Sequence, residues 1–170
     1  MCFNTPMTRN NESHREFVSG LIDCMTVNTV DESGAVSGGV ALYYNKARTL
    51  GPDHATLALG RLAALSIMND PTGNRRIYEA GVGTGGFLVS AAVTIGSGDV
   101  VVVGNDNSDY AVRTTEHNLD EVRRRRPGLR LVSDIRLQDW EDALCGPAAS
   151  ANCDVAHFNP PYKLPDDYLG

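Results

Sequence analysis

Lysine is almost missing from this sequence. Only Lys46 and Lys163 stand among its fifteen basic residues, a bias of coding composition from which no function follows. Positive charge is also scarce overall: fifteen basic against twenty-one acidic side chains give a formal charge of -6. That excludes a protein that grips nucleic acid through bulk charge and leaves room only for a local basic groove or a basic partner. No apolar run reaches the roughly 18 residues that span a bilayer. The polar start, Met1 to Asn11, has no apolar signal core, so a cytoplasmic location and no membrane partner are expected. The cysteines at 2, 24, 145 and 153 form no C-x-x-C pair. Cys145, Cys153 and His157 fit no common zinc spacing, so no metal is expected and the thiols read as reduced. Internal repeats and low-complexity tracts are absent too.

What is present suits one globular domain. At 170 residues, 42% hydrophobic and 21% charged, the chain can bury roughly 70% of its unfolded surface without a disulfide or metal staple. Residues 1–40 read as a lead with a helical extension, and 41–170 as the main core. Phe17, Val18, Leu21 and Ile22 form one stripe, which predicts a helix over 13–25; residues 26–40 read as a loop with at most a short strand. Pro52 opens a helix in which Leu57, Leu59, Leu62, Ala63, Leu65 and Met68 recur at helical spacing, closed by Asn69-Asp70-Pro71. Strands are expected at 76–80, 99–103, 129–135 and 154–158, and helices at 86–95 and 108–126, with a short helix at 140–144. The valine-rich segment 99–103 has no polar face, the mark of a buried parallel strand. Alternation of this kind predicts an α/β fold with a Rossmann-like, doubly wound, mostly parallel sheet.

Two segments carry chemistry. In Ile77-Tyr78-Glu79-Ala80-Gly81-Val82-Gly83-Thr84-Gly85-Gly86-Phe87-Leu88, Gly81, Gly83 and Gly86 complete G-x-G-x-x-G between a strand and a helix. Glycine is needed there because the turn is tight and a ligand must approach the backbone. Asp106 follows the next strand, where a carboxylate can accept hydrogen bonds from ribose hydroxyls. A nucleoside-bearing cofactor is implied, either a dinucleotide such as NAD or S-adenosylmethionine. A pyrophosphate at the helix N-terminus would be repelled by Glu79, whereas an ammonium would be attracted, and this favours S-adenosylmethionine. The second segment is Asp154-Val155-Ala156-His157-Phe158-Asn159-Pro160-Pro161-Tyr162. Its paired prolines cannot continue a ladder, so they end the strand in a stiff loop that presents Asn159 and Tyr162. An amide, a fixed carbonyl and an aromatic face suit a flat ring that bears an amine.

Together these segments resemble the class I S-adenosylmethionine-dependent methyltransferases that act on amino groups, above all the N6-adenine DNA methylases. Asn159-Pro160-Pro161-Tyr162 matches their N-P-P-Y motif. Residues 79–88 are similar to the D-P-A-C-G-T-G-G-F-L run of type I restriction modification subunits, identical from Gly83 to Leu88 and different at Glu79, Ala80, Gly81 and Val82. Gly104-Asn105-Asp106 and Asn118 resemble the family's second-strand segment. Gln138-Asp139-Trp140 falls where the family places an acid for the cofactor's adenine amine. Tyr43-Tyr44 sits at the distance of the family's aromatic-Thr-Pro element, with Asn45-Lys46 in place of Thr-Pro. The resemblance covers 43–162. It implies direct methyl transfer to an extruded adenine, with Asn159 and Pro160 accepting the N6 hydrogens and Tyr162 stacking on the base. The implied cofactor residues are Glu79, Gly81, Gly83, Thr84, Gly85, Phe87, Asp106, Asp139, Trp140 and Tyr44.

Each residue also has a plainer reading. Asn159 to Tyr162 can be a strand-ending turn, Asp106 and Asp139 helix caps, and Trp140 core packing. Arg123 to Arg126 can complement a helix dipole instead of touching phosphate. His157, within a buried-looking strand, reads as structural. Only eight residues follow Tyr162 in the sequence, whereas the resembling fold has three further strands and a DNA-reading domain. The expectation is therefore a sheet truncated after its fourth strand: a fragment, a split subunit completed by a partner or specificity subunit, or a non-catalytic cofactor binder. DNA would then be held through a separate recognition domain or subunit. RNA or a protein glutamine is the alternative target, since N-P-P-Y serves those planar nitrogens as well.

Overall fold

In the computed structural model, residues 16–30, 36–49, 51–69, 75–139, 142 and 152–158 are described. Four strands, β3 (Arg76–Ala80), β4 (Gly98–Asp106), β5 (Leu129–Leu137) and β6 (Val155–Phe158), form one sheet in the order β5-β4-β3-β6, and every pair is parallel. Helix α3 (Gly86–Ile95) links β3 to β4, and α4 (Asp109–Arg125) links β4 to β5. The chain thus winds outward from β3 to β5 and returns to place β6 on β3's other side. This is the Rossmann-like α/β arrangement that the alternation predicted. Its strand order reverses between β3 and β6, and ligands of such sheets bind outside the carboxyl ends of the strands at that reversal.

Side chains alternate across β3. Ile77 joins the main core with Val100, Val102, Leu119, Val122, Leu129 and Leu131, whereas Tyr78 and Ala80 face the opposite side with Val103. Helix α3 is buried at every residue but Thr94, because the sheet, α2 (His54–Met68), α4 and the hairpin described next surround it. That accounts for its all-round apolar sequence. Helix α2 opens on Asp53, whose carboxylate accepts the Thr56 N–H at 2.6 Å. Its inward face differs from the leucine stripe expected. Gly60, Ala63, Ala64 and Ile67 meet α3, and an added Cβ on Gly60 would lie 2.4 Å from the Phe87 carbonyl oxygen. Small residues win that face because the two helix backbones approach so closely. Leu59, Leu62, Leu65 and Met68 are left exposed.

The amino-terminal expectation is corrected. Helix α1 covers only residues 16–19 of those described, and Asp23–Val30 (β1) pairs antiparallel with Val36–Tyr44 (β2) in place of a helix to residue 25 and a loop to residue 40. Two contacts end the helix. Asn45 donates to the Gly20 carbonyl at 2.8 Å, and Asp23 accepts the Lys46 N–H at 3.1 Å. Beyond them Met25 and Val27 turn inward while Cys24, Thr26 and Asn28 face out, a period of two. The glycines that suggested a loop serve pairing. A Cβ at Gly39 would lie 2.5 Å from the Thr26 Cγ2 across the hairpin. Val40, Leu42 and Tyr44 bury their side chains in the same core as α3. The 140–144 helix lies outside the described residues except for Asp142, which is helical. Among the described residues no helix is long and apolar enough to cross a membrane, and no three metal-ligating side chains cluster.

Candidate functional site

The glycine turn lies at the carboxyl end of β3. Gly81, Gly83 and Gly85 all have positive φ, at 72°, 53° and 76°. A residue with a Cβ would be strained at each. The three then differ. A Cβ added at Gly81 or Gly83 would meet nothing within 4 Å, so the turn leaves open space beside its backbone. At Gly85 it would lie 2.9 Å from the Thr115 Cγ2, so this glycine serves the close packing of the turn on α4.

The last two residues of β4 clamp the turn. The Asn105 carbonyl accepts the N–H groups of Gly81 and Val82 at 2.9 and 3.1 Å. The Asn105 side chain accepts the Tyr78 hydroxyl hydrogen at 2.5 Å and donates to the Gln138 carbonyl at 3.1 Å. Asp106 accepts the Gly83 N–H on one carboxylate oxygen at 3.0 Å and the Ser108 N–H on the other at 2.9 Å. Ser108 caps α4 by accepting the Ala111 N–H. Asp106 thus fastens two loops, and each of its oxygens keeps a further lone pair for a ligand hydroxyl. The Gln138 N–H donates to the Asp106 carbonyl at 2.9 Å, so the chain at the exposed Asp139 leaves β5 beside this clamp.

Asn118, fully buried on α4, ties the hairpin to the turn. Its side chain accepts the Tyr43 N–H at 2.7 Å and donates to the carbonyls of Tyr43 and Thr84 at 2.8 and 2.9 Å. Tyr44 is next to this junction, with its ring buried in the core cluster that also holds Val82 and Phe87. Asn118→Ala removes the side-chain partner of three backbone groups, one buried and two partly buried. It is expected to lower stability by about 2 kcal/mol in urea unfolding and to weaken ligand binding at the turn.

Beneath the turn is Glu79, 2% exposed. One carboxylate oxygen lies 3.3 Å from the His157 Nδ1, the Leu88 N–H at the start of α3 also bonds the carboxyl, and Oε2 is buried with no partner among the described residues. Burial pushes the Glu79 carboxyl up to about 7, against the opposing pull of His157 and with a small push from the Asp106 charge. The His157 ring stacks on Phe87, centroids 4.1 Å apart and planes 12° from parallel. His157 was read from the sequence as structural. Its proximity to Glu79 comes from β3–β6 register, in which the two are direct partners, and no local sequence signal carries that.

The structure thus brings together Glu79, Gly81, Gly83, Thr84, Gly85, Phe87 and Asp106. Trp140, Asn159, Pro160 and Tyr162 lie outside the described residues. Three of the four arginines near the end of α4 are occupied: Arg124 and Arg125 both pair with the buried Glu121, and Arg123 with Asp120, Ser133 and the Leu131 carbonyl, whereas the buried Arg126 Nε has no hydrogen-bond partner among the described residues.

No family model and no curated protein matches the chain. Among solved structures it is similar to the methyltransferase subunit of a type I restriction-modification system from Streptococcus thermophilus, at 17% identity and a TM-score of 0.43 over 66% of this chain and 23% of that one. It is also similar to a human methyltransferase 10 domain containing protein, at 16% identity and a TM-score of 0.46 over 68% of this chain and 51% of that one. The chain therefore spans about a quarter of the first and half of the second. These are distant likenesses of fold.

S-adenosylmethionine fits the residues present on two counts. The open side of Gly81 and Gly83 admits a ligand against the backbone, and the unpartnered, buried Glu79 oxygen lacks a donor that an ammonium supplies.

Proposed function

We propose that the chain is the catalytic core, or one subunit of a split enzyme, of an S-adenosylmethionine-dependent N6-adenine DNA methyltransferase. The observation that carries the cofactor reading is the buried Glu79 carboxyl with one oxygen unpartnered, two residues before an open glycine turn. A dinucleotide's pyrophosphate would bring negative charge against Glu79 and Asp106, whereas a methionine tail brings an ammonium. Asp106 would hold the ribose through its remaining lone pairs, and Asp139 the adenine amine. The target follows from the resemblance of Asn159-Pro160-Pro161-Tyr162 to the methylase motif.

When bound, S-adenosylmethionine supplies an electrophilic methyl group. The chain's own residues do the rest. The Asn159 side-chain oxygen and the Pro160 carbonyl would accept hydrogen bonds from the two N–H groups of the adenine amine and draw its lone pair out of the ring, and after transfer the surplus N6 proton would leave to solvent. Tyr162 stacks on the extruded base. Positioning and aimed hydrogen bonds suffice, without a covalent enzyme intermediate.

Calorimetric titration with S-adenosylmethionine, with NAD as control, tests the cofactor. Saturable binding of the first alone is expected; binding of NAD alone, or of neither by a folded chain, overturns the reading. A radiolabelled methyl donor offered with DNA, RNA and a glutamine peptide tests the target. Label on the adenine N6 of DNA is expected, and label on RNA or peptide alone reassigns it.

A further inference from the structure

The buried Glu79 and the partly buried His157 join the glycine turn to the strand that precedes Asn159 in the sequence. Three elements meet at it. Strand β3 contributes the carboxyl, β6 the imidazole, and the first turn of α3 both the Phe87 ring and the Leu88 N–H. The titratable groups facing Glu79 among the described residues are His157 from β6 and Asp106 from β4; α3 offers only its backbone N–H. The imidazole is fixed on two sides, by the parallel stack on Phe87 and by the carboxylate at 3.3 Å. Its residue precedes Asn159 by two along the chain.

We propose that Glu79 and His157 form a proton-exchange pair in which an incoming ligand ammonium replaces the pair's proton, with His157 as the positioning residue that keeps Glu79 ionised for that ligand. This deepens the cofactor reading above and rests on it. Without ligand, the protonated Glu79 carboxyl carries its proton on the unpartnered Oε2, while His157 donates its Nδ1–H to Oε1. When an ammonium donates to Glu79 Oε2, it takes the place of that proton, which leaves to solvent. The His157 Nδ1–H stays on Oε1, and both carboxylate oxygens are satisfied. No bond other than N–H and O–H changes.

The sign of the pH dependence follows. Burial holds the Glu79 carboxyl near 7, so below that value the ligand must displace a proton and its affinity falls with acidity, by about tenfold per pH unit. Above it the affinity levels off, until the ligand's own ammonium titrates near pH 8.

The test is calorimetry of the whole chain with S-adenosylmethionine between pH 5.5 and 7.5, in buffers of different ionisation enthalpy. The expected results are affinity that rises with pH and release of close to one proton per ligand at pH 6. His157→Phe keeps the stack but removes the ring nitrogens, and should weaken binding at pH 7 by about tenfold and move the pH midpoint upward. His157→Asn restores an N–H donor and should recover most of that loss. Thermal melts of both variants check that the fold persists. Binding that is flat with pH and releases no proton overturns the exchange, even though the cofactor reading stands. An equal loss in His157→Phe and His157→Asn assigns His157 to packing alone and overturns its positioning role. Absence of S-adenosylmethionine binding at every pH removes the cofactor reading and this inference with it.

Discussion

Asn159→Ala is expected to abolish methyl transfer, by at least about a hundredfold, while S-adenosylmethionine binds as tightly as to the parent chain. The exocyclic nitrogen of adenine is a poor nucleophile because its lone pair belongs to the ring. On the proposed mechanism the Asn159 side-chain oxygen is one of two acceptors that draw that lone pair out, an interaction strongest in the transition state. Alanine removes that acceptor and leaves the residues of the glycine turn and Asp106 unchanged. Single-turnover transfer of a labelled methyl group, beside a calorimetric titration, separates the two effects. Transfer that survives the substitution removes Asn159 from the chemistry. Equal loss of binding and transfer makes its role structural.

Glu79→Gln is expected to strengthen the fold above pH 7 and to weaken the ligand. A glutamate carboxyl in the unfolded chain titrates near 4.5, and burial raises it to about 7 in the folded protein. The folded state therefore holds a proton that the unfolded state has lost in that window. Stability is fully present below about 4.5 and falls as pH rises through about 7. The gap corresponds to roughly 3 kcal/mol at pH 8. Glutamine keeps the shape and still accepts the Leu88 N–H, yet never has to carry a buried charge. Urea unfolding at pH 5 and pH 8 should show the parent chain losing stability between the two and the variant losing little. The same variant lacks the anion for an ammonium, so its affinity for S-adenosylmethionine should fall at least about tenfold at pH 7.5. A variant no more stable than its parent at pH 8 would mean that burial does not penalise the ionised carboxyl. The opposed effects have one physical source: a carboxyl stripped of water is costly to ionise alone and well placed to bind a cation.

Much of the core was legible in the chain. Strand 76–80 and helix 86–95 were located to the residue, because a glycine-rich turn separates a period-two segment from a continuous apolar one. Ser108 was placed at the start of α4 and is its cap, and Pro127-Gly128 follows that helix's end. The parallel sheet followed from the alternation of elements, and the open glycine turn from residues that only a positive φ explains. The amino-terminal hairpin was not legible. Four apolar residues at helical spacing, Phe17 to Ile22, outweighed the shorter alternation of Met25 and Val27, and glycines needed for close strand pairing looked like loop. Likewise the α2 leucines had the right period, but the identity of the buried face was set by how closely α3 approaches.

The sequence by itself determined the order of elements, the glycine turn with its acidic partners and the motif at 159–162. All of these are local properties, fixed by backbone preference and by chemistry within a few residues. Only the tertiary structure decided what those parts do to one another. It made Asp106 a clamp on the turn 23 residues before it, and Asn118 a tie between the Tyr43 and Thr84 backbones. It set His157 against Glu79, 78 residues apart in the chain. A parallel register brings such residues together, and a register is chosen by the whole sheet packing against its helices at once. No stretch of sequence around either residue can announce it.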